Sequence, residues 1–269
     1  RPDGYMCFII PTIWLKPDKA GMYDLLMKWD IVKMHVLSTA ETNQMFKGQA
    51  QTPTTFFLLR KREIKQQKIE MFCYKEQRYF NYQVFKNRPI PMCNPMLINK
   101  LMYYVNSAGH INVIKTNMPP KNAVFSPFPT KQCRYKNIKT VLASKKTHGP
   151  NIFKVNNKYY GERVVNWSDI PCVGYGTPKI IMAHKMYGMP FLDISGEYGI
   201  SNRDNYIITD YSTETLQRIT DYLSLDFIQK VFDTTRYRMR YLEKYAFEFI
   251  PDITHLSDFP MDNITNKTI

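Results

Sequence analysis

The sequence predicts an α/β chain: a strand, helix and β-hairpin layer over residues 1–64, then a mixed α+β domain over residues 65–269 that closes with helices. Three observations lead there. The apolar run Tyr5-Met6-Cys7-Phe8-Ile9-Ile10 lies between the turn residues Arg1-Pro2-Asp3-Gly4 and Pro11, the pattern of a strand buried on both faces as in a parallel sheet. Beyond Glu63 the texture changes to short apolar runs among basic turns and clustered prolines (Pro89, Pro91, Pro95, Pro119, Pro120, Pro127, Pro129). Near the end, Leu216, Ile219, Leu223, Phe227 and Val231 recur at helical spacing.

Taken in order, a helix is expected to start at Lys16-Pro17-Asp18, with proline near its first position and an acid at its positive end, and with Met22, Leu25, Leu26 and Trp29 on one face. Ile31–Leu37 and Thr54–Leu59 read as strands, joined by a long connection from Ser38 to Pro53 of the kind that often carries function. In the second domain the longest early helix is expected over Pro95–Val105. The stretch Lys179–His184, entered through Gly174-Tyr175-Gly176-Thr177-Pro178, pairs with strands at Phe191–Ile194 and Tyr206–Thr209 to give a small sheet. Ser212 is a candidate N-cap with Glu214 in the first turn, and a further helix carries Met239, Leu242, Ala246 and Phe249 until Pro251 stops it.

With 269 residues, 44% hydrophobic and 14% aromatic, the chain has enough apolar material for a core, which excludes global disorder. No apolar run reaches the length of a membrane span, so no membrane partner is expected. The five cysteines are widely spread and form no C-x-x-C pair, and the five histidines show no ligand spacing, so neither a disulfide framework nor a metal site is expected. A reducing, cytoplasmic setting fits, in a microbe or a large DNA virus, or else a virion.

The formal charge of +14 is localised. Gln77–Gly161 contains no Asp or Glu in 85 residues yet carries fourteen Lys and Arg, leaving the remainder balanced at 23 positives and 23 acids. Roughly seven carboxylates are expected in a stretch of that length, so the segment reads as facing a polyanion. Aromatic residues, among them Phe125, Phe128 and Tyr135, are interleaved with the charges, a pairing that suits nucleic acid because cations neutralise phosphates while rings stack on bases. Lys131, Arg134, Lys136, Lys139, Lys145, Lys146, His184 and Lys185 are the candidate DNA-binding residues. Asp193, Glu197 and Asp204 near Lys185 are weighed as a nuclease-like carboxylate cluster and read instead as loop residues.

Three stretches carry a family resemblance: Asp3-Gly4-Tyr5 through Phe8-Ile9-Ile10-Pro11-Thr12-Ile13-Trp14-Leu15; Met45-Phe46-Lys47-Gly48 leading to Thr54-Thr55-Phe56-Phe57-Leu58; and Thr177-Pro178-Lys179-Ile180-Ile181-Met182-Ala183-His184. In that order they resemble the C-terminal half of gamma-class N6-adenine DNA methyltransferases, of the stand-alone or the fused restriction-modification type. The resemblance implies that residues 1–64 form the edge of a Rossmann-like methyltransferase sheet whose last two strands make an antiparallel hairpin. Residues 65–269 are then the target-recognition domain. It also implies that Phe46 packs against a target adenine flipped out of the duplex, an apolar ring recovering part of the unstacking cost. The family's acid-Pro-Pro-aromatic or Asn-Pro-Pro-aromatic tetrapeptide and its Gly-rich cofactor loop do not occur. The chain is therefore expected to be non-catalytic alone. S-adenosylmethionine would belong only to an enzyme completed by an N-terminal catalytic segment, with double-stranded DNA as the other partner. The alternative is a degenerate relative serving as a structural or nucleic-acid-packaging protein of a virion.

Overall fold

The computed structural model describes residues 2–17, 19–64, 67–144, 152–155, 159–184, 189–238 and 241–256. The chain is a mixed α/β protein with three β-sheets, and its described helices include none long and apolar enough to cross a membrane. It divides into two compact units, one of residues 1–110 and 230–251 and the other chiefly of 111–229 and 252–267.

The first unit is built on a five-stranded sheet. Its strands are β1 (Tyr5–Pro11), β2 (Trp29–Leu37), β3 (Thr54–Glu63), β4 (Lys68–Cys73) and β5 (Arg78–Gln83), in the spatial order β1-β3-β2-β4-β5. β3 is antiparallel to both β1 and β2, so β1 and β2 run parallel to each other on either side of it. β4 then adds in parallel to β2, and β5 closes a hairpin on β4. The sheet therefore continues past residue 64.

One face of this sheet buries Met34, Val36, Phe57, Leu59, Ile69, Met71 and Tyr82. Helix α3 (Pro95–Ala108) packs Leu97, Ile98, Leu101 and Val105 into the same core, as its apolar spacing predicts. After Pro11 a 3-10 turn over Thr12–Leu15 buries Trp14 and Leu15, and the Trp14 indole donates to Thr55 Oγ1 at 2.8 Å while its ring meets Phe57 at 4.7 Å. The "Ile-Pro-Thr-Ile-Trp-Leu" stretch thus locks β1 to β3. The C-terminal part of the unit returns to it through Tyr237, whose hydroxyl donates to the Ile90 carbonyl at 2.6 Å, and through Phe232, whose ring is tilted against Phe247 at 5.5 Å.

Several expectations are corrected here. β1 is an edge strand paired antiparallel to β3, not a strand buried on both faces: Tyr5 and Ile9 on one face and Met6 on the other are exposed, and among the described residues nothing pairs with its outer edge. The helix expected from Lys16 shrinks to α1 (Met22–Leu26); Met22 and Leu25 are exposed and Trp29 already belongs to β2. Gly21, at φ 71°, supplies the left-handed conformation that starts α1 so late. The Ser38–Pro53 connection is not a bare loop, since it holds α2 (Thr39–Met45), opened by a capping box between Ser38 and Glu41.

The second unit contains β6 (Ile114–Lys115), β7 (Phe125–Ser126), β8 (Tyr135–Ser144), β9 (Ile152–Val155), β10 (Tyr159–Ser168), β11 (Lys179–Ala183), β12 (Pro190–Asp193), β13 (Gly199–Ile200) and β14 (Asn205–Ile208). One sheet runs β13-β8-β10-β7 with β9 also paired to β10, and the other runs β12-β11-β14-β6. The expected small sheet of Lys179, Phe191 and Tyr206 strands is the centre of the latter. Ile138, Val141, Ile181, Ala183, Tyr198, Ile200 and Ile207 share one core.

Helix α4 (Thr213–Leu223) is capped by Ser212, whose hydroxyl accepts from the Thr215 amide at 3.2 Å. The apolar series expected as one helix breaks at Ser224-Leu225 into α4 and α5 (Asp226–Thr234). The expected final helix is instead a 3-10 segment, Lys244–Phe249, although Leu242, Ala246 and Phe249 are buried as the spacing requires; Met239 lies outside the described residues.

Candidate nucleic-acid interface

The acid-free stretch divides between the units: Gln77–His110 belongs to the first and Ile111–Gly161 to the second. In the first unit, Arg78 pairs with Glu76, just outside the stretch in sequence, at 3.3 Å, and folding brings Glu248 to Arg88 at 3.8 Å. The second unit leaves more of it open. Among the described residues Lys115, Lys121, Lys131, Arg134 and Lys139 are exposed and make no ion pair.

These side chains stand on a well-anchored segment. Thr116 fixes its start, donating from its hydroxyl to the Asn202 carbonyl at 2.7 Å and from its amide to the Asn205 carbonyl at 3.0 Å. Farther on, Phe125 and Ser126 pair with Ser168 and Trp167, and the Val124 amide donates to Asp169 Oδ1 at 2.9 Å. Thr130 and Cys133 then close a turn, with the Cys133 amide donating to Thr130 Oγ1 at 2.8 Å and the Thr130 amide to the Cys133 carbonyl at 3.0 Å. Cys133 is buried beneath that turn, while Lys131 and Arg134 point outward. Arg134 lies over the Tyr135 ring at 5.6 Å, and Tyr135 meets Tyr175 edge to face at 5.2 Å. Phe128, at the segment's tip, is 72% exposed.

Lys139 is placed by a β-bulge. Val164 pairs with Thr140 and Val165 with Ile138, so Lys139 is the extra residue, and Ile138 and Val141 both reach the core across it. Asn205 Nδ2 donates to the Lys139 carbonyl at 3.2 Å and holds the bulge. Lys136 is differently situated. It pairs with Glu197 at 2.5 Å and lies over Tyr198 at 4.7 Å. Burial opposes its charge, but hydrogen bonds to Glu197 and Tyr198 outweigh that and raise its pKa above the ordinary lysine value. Glu197 lies outside the acid-free stretch, so no linear signal announced it. Arg163, which sequence reasoning did not single out, donates to the Tyr198 hydroxyl at 3.2 Å and lies over Phe191 at 4.9 Å.

His184 sits just past β11, half-buried, with Nδ1 3.1 Å from the Tyr206 hydroxyl and its amide donating to the Asp204 carbonyl at 2.8 Å. Lys145, Lys146 and Lys185 lie outside the described residues. The carboxylates weighed as a nuclease cluster have other partners: Asp193 is buried against Lys179 at 2.5 Å and accepts from the Glu197 and Tyr198 amides at 3.0 Å each, while Glu197 holds Lys136.

Phe46 belongs to the first unit, in the connection between β2 and β3. It is the C-cap of α2 and is 40% exposed. Lys47 at φ 50° and Gly48 at φ 85° turn the chain immediately after it, which ends the helix and leaves the ring near the surface.

Fold and surface together define a mixed α/β chain of two units, one of which carries a basic, aromatic-tipped segment on its surface. No protein-family model matches the chain, and no curated protein matches it.

Proposed function

We propose that this chain is the C-terminal segment of a site-specific DNA adenine-N6 methyltransferase, in which the first unit completes the edge of a Rossmann-like catalytic sheet and the second holds duplex DNA. The observation that carries the reading is the strand order β1-β3-β2, with β3 antiparallel to both neighbours. It is the arrangement a strand, a crossover and a final antiparallel hairpin produce at the margin of a parallel sheet.

Two features support it. β1 has an uncharged, apolar outer edge, and isolated proteins normally protect such an edge with charge, a bulge or cover. The sheet's second face carries a row contributed by all its strands, Ile9, Phe56, His35, Phe72 and Tyr79, whose members are exposed or only half-buried. Doubly wound sheets bury such a face under a second helix layer. In this reading a preceding catalytic segment adds a strand to β1, covers that row and brings S-adenosylmethionine. The chain's own roles are then phosphate contact through Lys131, Arg134 and Lys139, with Phe46 placed to pack against the extruded adenine.

The test joins the chain to a catalytic half bearing the Asn-Pro-Pro-aromatic or acid-Pro-Pro-aromatic tetrapeptide and looks for N6-methyladenine in duplex DNA by mass spectrometry. Methylation that requires both parts is expected. A folded fusion that binds S-adenosylmethionine and duplex DNA yet transfers no methyl group rejects the enzymatic reading and leaves a scaffold or packaging role.

A further inference from the structure

We infer that Phe128 is a wedge that inserts between base pairs of duplex DNA held on the second unit; this deepens the duplex-binding part of the proposed function and rests on it. A phenylalanine at 72% exposure pays in water for an apolar ring that no described neighbour covers. The backbone that presents it is stiff. Pro127 and Pro129 fix φ on either side, and the Phe128 amide donates to Ser126 Oγ at 3.3 Å. Ser126 itself is paired to Trp167, and the Thr130–Cys133 turn fixes the other side. An exposed ring on a mobile loop loses much of its binding free energy to ordering, whereas this one is already held.

The surroundings select the partner. Lys121 precedes the ring in sequence and Lys131 and Arg134 follow it, all exposed, in a stretch whose own sequence holds no carboxylate; Asp169, which folding brings beside it, is engaged by the Val124 amide. Exposed cations before and after an apolar ring along the chain suit phosphate contact, and insertion of one apolar side chain into a base step is an established way to bend or open a duplex. A platform for single strands instead uses successive rings along a groove. Phe125, three residues earlier, is held in β7 and 37% exposed, so Phe128, bracketed by prolines, is the more exposed ring of the segment and the one that fits the wedge.

The test uses the full chain and duplexes with 2-aminopurine at successive positions, whose fluorescence rises when the base unstacks. Wild-type protein is expected to bind duplex with steep salt dependence and to raise fluorescence at one step. Phe128→Ala is expected to abolish the rise and weaken binding about tenfold, with the salt slope unchanged. Phe128→Leu keeps an apolar wedge and is expected to retain part of the rise. Lys131→Ala with Arg134→Ala is expected to flatten the salt slope by roughly 0.9 per residue and keep the rise. Salt-dependent duplex binding that is indifferent to Phe128→Ala overturns the wedge and leaves the duplex reading standing. Preference for single strands, or for an acidic protein, overturns the wedge as well. Absence of any salt-dependent duplex binding overturns both.

Discussion

Lys179 is a lysine with no exposed surface, and Asp193 is the group that makes that tolerable. Burial lowers the pKa of the ammonium group, and the carboxylate offsets this only in part. The same carboxylate organises the turn that follows, where Gly196, at φ 68°, must lack a side chain because a Cβ would lie 2.5 Å from the Thr177 amide nitrogen. Lys179→Met strands Asp193 and is expected to cost about 3–5 kcal/mol in urea unfolding, more than removing both charges together. His35 gives the chain a pH signature. It stacks between Phe56 at 4.5 Å and Phe72 at 4.1 Å, and burial lowers its pKa despite the opposing field of Glu41. The unfolded chain then takes up a proton at about pH 6.5, before the folded one does. The associated stability is present above that pH and is lost as pH falls toward the folded value. His35→Phe keeps the stack, and the drop in Tm between neutral and mildly acid solution is expected to shrink. An unchanged drop counts against this assignment.

Among the elements, β1 is where sequence and structure disagree most instructively. Its run of apolar residues is the pattern of a strand buried on both faces, whereas the structure gives it one neighbouring strand and leaves Tyr5, Met6 and Ile9 exposed. Ile9→Lys is expected to leave stability within about 0.5 kcal/mol, since Ile9 is 59% exposed, while preventing a further strand from adding. β2, β3, β11, β14, α3 and the Ser212 cap followed from periodicity and capping chemistry because local patterning decides them. What escaped were features set by tertiary pairing: the β4–β5 extension of the first sheet, the late start of α1, the break before α5, and the bulge at Lys139. Lys136 shows the same limit in the candidate site, since its partner Glu197 is 61 residues away in sequence.

For the molecule as a whole, the net charge of +14 resolves into distinct contributions once folded. Part of the acid-free stretch is answered by Glu76 and Glu248 in the first unit, and the open cations concentrate in the second. Replacing Lys131, Arg134 and Lys139 together by alanine is therefore expected to lower the slope of log K against log salt for duplex binding by roughly 0.9 per residue, whereas changing Arg78 leaves it untouched.

Whether β1 is the margin of a catalytic sheet is tested by N6-methyladenine formation on duplex DNA by a catalytic half supplied with this chain, compared with the same half supplied with the Ile9→Lys chain. Methylated adenine is expected with the intact chain and strong loss with Ile9→Lys, although both chains fold and both bind DNA. Methylation that proceeds equally with no chain added, or none under any combination, would contradict that role for β1.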